Sequence, residues 1–206
     1  MSLTVQQAID QLGDRSSAKR RAAAKRLRTL ADPAAGAALL TALQSEVTDP
    51  RTWETHYQLI MALGECRYEP AIALLSDLVG RPTNTEMVGT ALGDALTRIE
   101  WATSRTLDFV DRAMTEGSPG VADGAFRALA MMRVVPPDDL VGRLLAFADR
   151  LEPYDLLQFW IVVAAAGWSG NGVDAFLRRR LTSPNTDIAK AAAESLAKSY
   201  GDYPPL

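Results

Sequence analysis

Apolar residues recur along this chain at helical spacing, and the apolar stretches themselves recur. Leu27, Leu63, Leu96, Leu129, Val163 and Leu196 each sit late in such a stretch, at successive spacings of 36, 33, 33, 34 and 33 residues. Four of these anchors lie in related local text: KRLRTLADP, MALGECRYEP, DALTRIEWA and RALAMMRVVPP. β-branched residues are sparse and never alternate with polar ones over a useful length, so no strand is expected. A period of roughly 20–50 residues in a helical background marks a stack of helix pairs, each too small to bury a core alone. The pattern therefore predicts an all-α chain, an α-solenoid of about five antiparallel helix pairs. It forms one domain over residues 1–206, with a leading helix within 1–14 and an irregular tail at 201–206.

Turn-forming residues divide this pattern into elements. A leading helix is expected over about Thr4 to Leu12, ended by Gly13, and a basic helix over about Ser17 to Ala31, capped by Ser16 or Ser17. Asp32-Pro33, Asp49-Pro50 and Glu69-Pro70 each combine an acceptor for orphan N–H groups with a proline suited to a first helical turn. They open helices with Leu39, Leu40 and Leu43 on one stripe, then Tyr57, Ile60 and Leu63, then Leu74, Leu75 and Leu78 buried. Pro82 separates the next pair, about Thr85 to Trp101 and Ser104 to Thr115. Gly117, Pro119 and Gly120 break the chain before Val121 to Arg133, and Pro136-Pro137 introduces Asp138 to Leu151. Tyr154 to Trp168 is the most apolar helix and is expected to be the most enclosed. Gly170 and Gly172 turn into Val173 to Leu181, and Asp187 to Tyr200 is last. Small residues at Ala22 to Ala24, Ala91, Gly93 and Ala164 to Ala166 mark places where helices can approach closely.

Composition narrows the chemistry. The single cysteine, Cys66, excludes an internal disulfide and a cysteine-based zinc site, and favours a reducing, cytoplasmic setting. The N-terminus has no basic region followed by an apolar core, so no secretory signal is read. The longest apolar run, Phe159 to Trp168, is about half of the roughly 20 residues that a membrane span requires. One histidine, His56, rules out a histidine-based metal site by counting, and no nucleophile–base arrangement can be built around it. Gly117, Gly120 and Gly124 lack the lysine and the preceding strand of a phosphate loop. No catalytic residue, cofactor or metal is expected.

The chain resembles a HEAT-type repeat, close to the HEAT-like repeats of bilin lyase subunits. The resembling text is KRLRTLADPAAGAALLTAL and MALGECRYEPAIALLSDLV: an Ala-Leu pair, a turn with an acid and a proline, then an apolar second helix. Asp32-Pro33 and Glu69-Pro70 have no counterpart near Trp101 or Gly170. The resemblance implies a right-handed superhelix whose second helices line the concave side. It also implies a curved surface for binding proteins, with branches that excise alkylated DNA bases or assist cofactor attachment.

Charge supplies the candidate surfaces. Net charge is −3, yet Arg15, Lys19, Arg20, Arg21, Lys25, Arg26 and Arg28 follow one another with no intervening acid. Arg21, Lys25 and Arg28 fall on one stripe opposite Ala23, Leu27 and Leu30. That stripe could neutralise phosphates, meet an acidic protein, or satisfy acids on a neighbouring repeat as a solvated outer face. The second helices carry Asp77, Arg105, Asp108, Arg112, Asp139, Arg143, Asp174 and Arg178, a ladder that reads either as internal pairing or as a patterned face for a charged partner. Arg178 to Arg180 make a smaller basic spot. Of the four tryptophans, Trp160 reads as core and Trp53 and Trp101 as partly exposed. The favoured expectation is a non-enzymatic scaffold binding an intracellular protein or peptide, with no membrane contact, through Arg21, Lys25, Arg28, Arg112, Arg143 and Arg178. The alternatives are a nucleic-acid-binding or base-excision protein using the basic helix, and a bilin-lyase-like chaperone.

Overall fold

The computed structural model describes residues 3–81, 85–170 and 172–203. Pro82 and the tail residues 204–206 lie outside the described residues. Among the described residues the regular structure is entirely helical: α1 (Val5–Gln11), α2 (Ser17–Leu30), α3 (Gly36–Glu46), α4 (Trp53–Glu65), α5 (Ile72–Val79), α6 (Glu86–Thr103), α7 (Asp108–Glu116), α8 (Pro119–Met132), α9 (Asp138–Asp149), α10 (Phe159–Ala164), α11 (Val173–Arg180) and α12 (Thr186–Leu196). They fall into two compact units, residues 1–125 and 126–206. Each is an array of helical hairpins, the α-solenoid class.

Local chemistry sets the starts of these helices. Thr4 forms a reciprocal capping box with Gln7. Asp32 accepts from the Ala34 amide at 2.9 Å and Asp49 from the Arg51 amide at 3.1 Å, each ahead of a proline that opens a 3₁₀ turn. Asn185 accepts from Asp187 at 3.0 Å at the start of α12. The Glu69-Pro70 expectation is corrected: Tyr68 occupies the cap position and Glu69 begins the 3₁₀ turn.

The ends of the helices explain the sequence period. Ala31, Arg67, Arg105, Arg133 and Lys198 adopt left-handed φ values of 49–60° just beyond α2, α4, α6, α8 and α12. Such a residue reverses the chain and closes the last carbonyls of the helix. The acceptors are often the period's own anchors. Leu27 O receives the Ala31 amide at 2.9 Å, Leu63 O the Tyr68 amide at 3.1 Å, and Leu129 O the Val134 amide at 3.1 Å. The repeated leucines therefore mark the last buried turn before each reversal.

Within the first unit, α2, α4 and α6 pack side by side, with α3 against α4 and α5 against α6. All six anchors lie on the even-numbered helices. Leu27, Leu63, Leu96, Leu129 and Val163 are buried, whereas Leu196 is half-buried. α4 and α6 are enclosed on nearly every face: Leu59 to Gly64 and Val88 to Thr97 are continuously buried. Backbones meet where side chains are absent. A Cβ on Gly64 would lie 2.7 Å from Ala95 Cα, and one on Gly93 would lie 2.9 Å from Ala125 N. In the second unit α12 packs on α10 and α11. Each fully buried leucine contributes about 1.5–3 kcal/mol, but only against a neighbouring helix.

Several expected elements change in detail. The second helix of the third pair begins at Asp108 rather than near Ser104, because Arg105 takes the left-handed conformation that ends α6. Leu40 and Leu74 are half-buried rather than core. The expected helix from Tyr154 to Trp168 is a six-residue α10 between two 3₁₀ turns, Leu156–Gln158 and Ala165–Gly167. Asp155 caps the first turn by accepting from Leu157 N at 2.9 Å, and β-branched Ile161 to Val163 favour helix only weakly. Tyr154 stands outside at 69% exposure, while Trp168 is extended and buried. Trp168 donates Nε1–H to Val134 O at 3.1 Å. Gly170 and Gly172 both adopt φ values above 100°, as the turn requires.

Candidate functional site

The basic helix α2 carries its own counter-charges. Arg20 holds Glu46 with two hydrogen bonds, 2.6 Å from Nε and 2.8 Å from a terminal nitrogen, and reaches the carbonyls of Asp14 and Arg15. Burial works to raise the Glu46 carboxyl, but Arg20 and the Thr52 hydroxyl outweigh it and hold it below its usual range. Arg21 pairs with Glu54 on α4, and Lys19 with Asp14 at 3.0 Å. Arg26 donates to Leu3 O at 2.8 Å.

Arg28 does not share the outer stripe expected for it. It is only 8% exposed, lies 5.8 Å from the centroid of the Tyr57 ring and reaches Gln58. A guanidinium on a long apolar stem can lie along a ring where a compact ion could not. Of the three stripe residues, Lys25 is exposed and Arg21 is half-buried in its pair.

The expected ladder resolves into local pairs. Asp77 on α5 pairs with Arg81 just beyond the end of that helix, and Asp139 with Arg143 at 2.9 Å along α9, each four residues apart. Arg143 therefore sits over its own helix, and Arg81, which the ladder omitted, takes Asp77. The Arg143 hydrogen bond holds the Asp139 carboxyl below its ordinary value. Arg105 leaves the second helix altogether and lies over the Trp101 ring at 5.4 Å. Arg112 is exposed on α7, 5.6 Å from the Phe109 ring centroid, and Arg178 and Asp174 are exposed on α11.

Other charges pair across repeats. Arg98 donates to Asp94 at 2.5 Å and to Glu65 of α4 at 3.2 Å. On α11, Arg179 and Arg180 both hold Asp149 from α9, Arg179 at 2.7 Å. Arg180 also donates to Gln158 Oε1 at 3.3 Å and lies 4.0 Å from the Phe176 ring centroid. The basic spot at 178–180 was visible in sequence. Its partner 30 residues back was not, although that separation is close to the repeat length.

The remaining candidates are structural. His56 Nε2 bonds the Glu46 carbonyl at 2.8 Å and the Thr52 hydroxyl at 3.2 Å, which holds the α3–α4 turn. Burial pushes the Cys66 thiol up to about 11, which makes it a poor nucleophile, and the thiol donates to Asp32 O. No group of three or more metal-binding side chains occurs among the described residues. Trp53 and Trp101 are half-buried. Trp160 is corrected from core to half-buried: it contacts Phe159 and Tyr203 edge-on, with Arg127 at 5.6 Å. Among the described residues no helix is long and apolar enough to cross a membrane.

Three clefts open at the edges of successive helices. The first, about 280 Å³, lies between the α1–α2 turn and α3, beside Asp14, Arg20, Glu46 and Asp49. A second, about 210 Å³, lies between α5 and α7 and is lined by Val79, Phe109 and Arg112. The third, about 380 Å³, lies between the loops after α9 and α11.

No protein-family model and no curated protein matches the chain. Among solved structures it is similar to an engineered protein at a TM-score of 0.50 and 17% identity, over 95% of this chain and 98% of that one. A designed armadillo repeat protein aligns at a TM-score of 0.49 and 16% identity, over 95% and 99%. Human deoxyhypusine hydroxylase in complex with glycerol aligns at 0.41 and 14%, over 94% and 83%. At these identities the likeness concerns fold alone. With the helical hairpins described above, the fold is an α-solenoid of helical repeats.

Proposed function

We propose that the chain is a non-enzymatic scaffold that binds an intracellular protein or peptide through the outward faces of its second helices, α3, α5, α7, α9 and α11. The observation that carries this reading is a division of labour between alternating helices. α4 and α6 are enclosed by their neighbours, whereas α7 leaves Arg112 exposed at the edge of a cleft and α11 leaves Arg178 exposed. Surfaces fixed by a packed scaffold bind with little loss of ordering entropy. The cations of α2 support a nucleic-acid role poorly, because Glu46, Glu54 and Asp14 already neutralise three of them.

The favoured partner is acidic, since Arg112, Arg143 and Arg178 are exposed on second helices and Lys25 is exposed on α2. The test has two steps. Affinity purification from the native source identifies the partner by mass spectrometry. Arg112→Ala, and separately Arg143→Ala with Arg178→Ala, are then compared with the parent chain for binding and thermal unfolding. At least one set is expected to weaken the partner about tenfold, roughly 1.4 kcal/mol, with stability changed by less than about 0.5 kcal/mol per substitution. Unchanged affinity in both sets would remove the second-helix assignment.

A further inference from the structure

The cleft between the loops after α9 and α11 is preformed. Gln158, 3% exposed, donates to the carbonyls of Glu152 at 3.0 Å and Pro153 at 3.4 Å, and accepts from Arg180. The Ser183 hydroxyl donates to Pro153 O at 3.3 Å and ties one loop to the other. Leu151, Pro153 and Pro184 give the cleft apolar walls, and Arg179 stands at its edge. A ligand would not have to order these groups before using them.

Charge and hydropathy converge on the same place. Two guanidiniums share one carboxylate, Asp149, so this spot is locally positive in a chain whose net charge is −3. Arg180 is locked in place, with its side chain 10% exposed, whereas that of Arg179 is 54% exposed. Arg179 commits one N–H to Asp149, out of the five that a guanidinium carries. Five large apolar side chains are exposed among the described residues, and three of them, Tyr154, Leu156 and Leu181, lie on the two segments that wall this cleft. A single exposed apolar residue means little, but three on the two segments that supply the cleft's lining have the make-up of a recognition patch beside its cation.

We infer that this cleft docks a peptide segment in which a carboxylate side chain is flanked by aromatic or branched aliphatic residues. The carboxylate takes the open donors of Arg179, a fork that matches its two oxygens. The flanking side chains cover Tyr154, Leu156 and Leu181. This inference rests on the peptide-binding reading above and gives it a location and a ligand chemistry.

The experiment titrates the full chain with a fluorescein-labelled peptide, Gly-Ser-Asp-Phe-Asp-Leu-Ser-Gly. Anisotropy gives affinity, and amide chemical shifts give location. Two further peptides replace both Asp with Asn or with Lys. Shifts are expected to concentrate at residues 149–158 and 179–184. Arg179→Glu and the Asn peptide should each weaken binding at least about tenfold. Lys190→Glu, an exposed change on α12, should leave it unaltered. The Lys peptide should regain affinity only for the Arg179→Glu chain. Arg179→Gln, which removes the charge but keeps the size, guards against misfolding of the Glu variant. Binding with shifts elsewhere, or binding indifferent to Arg179, would overturn the location while leaving the scaffold reading intact. Competition by inorganic phosphate at the same concentration as peptide would reduce the cleft to a simple anion site. The absence of any shift with all three peptides would overturn the inference, and the native-partner test would then decide the scaffold reading by itself.

Discussion

Replacing Arg98 with alanine is expected to destabilise the first unit by about 3–5 kcal/mol, among the largest effects open to a single substitution here. The guanidinium is nearly enclosed, with its side chain 11% exposed, and lies 2.5 Å from Asp94, which is fully buried. Burial alone would favour a neutral arginine, but Asp94 and Glu65 outweigh it and raise its pKa above the ordinary value. Removing the guanidinium leaves the Asp94 carboxylate in a low-dielectric site where water cannot replace the lost hydrogen bond. Glu65 matters less, because its side chain is 28% exposed and can be rehydrated. Urea unfolding of Arg98→Ala, Arg98→Met and Glu65→Gln separates these contributions. Arg98→Met should recover only the packing of the alkyl stem, and Glu65→Gln should cost about 0.5–1 kcal/mol. A loss below about 1 kcal/mol for Arg98→Ala would mean that Asp94 reaches water, contrary to its burial.

A single methyl group at Gly124 is expected to cost about 2–3 kcal/mol, against the usual direction for glycine in a helix. Gly→Ala within a helix ordinarily gains up to about 1 kcal/mol. At Gly124 the added Cβ would lie 2.7 Å from the Thr90 carbonyl carbon and 2.8 Å from Asp94 N, so α6 and α8 would have to separate. Backbone cannot swing aside as a side chain does, and the separation would loosen every contact along that crossing. Gly142, midway along α9, is the control: nothing lies within 4 Å of its Cβ position. Gly142→Ala should stabilise by about 0.5–1 kcal/mol. Opposite signs at the two positions, measured by urea unfolding, would establish backbone contact at α6–α8. Stabilisation at both would contradict it.

Helix order was legible in the sequence because two independent signals agreed. The leucine period fell on alternate helices, and Asp32-Pro33 and Asp49-Pro50 marked starts that the backbone uses. Gly64 was not singled out, but the small residue Gly93 was legible as a place of close approach, since little else allows two helices to touch. The length of α10 was not, because an apolar run from Phe159 to Trp168 fits an α-helix and a pair of 3₁₀ turns equally well. Arg28 was misplaced because a helical wheel treats every cation as outward. The Tyr57 ring that draws it in lies one repeat away. The Asp77–Arg81 and Asp139–Arg143 pairs needed only a spacing of four, whereas Asp149 with Arg179 and Arg180 required the repeat register to within one residue. The candidate cleft combined residues of two loops with that pairing, so no linear pattern announced it.

The central claim is that each hairpin holds its core only against its neighbours in the array. Native-state hydrogen exchange of the full chain in sub-denaturing urea tests it most directly. Amides of α4 and α6, flanked on both sides, should open with the highest free energies in the first unit. Those of α1, and of α12 in the second unit, should open at least about 2 kcal/mol more easily. One shared opening free energy across α1, α4, α6 and α12 would instead indicate a single closed core, and would contradict the repeat architecture on which the proposed surfaces depend.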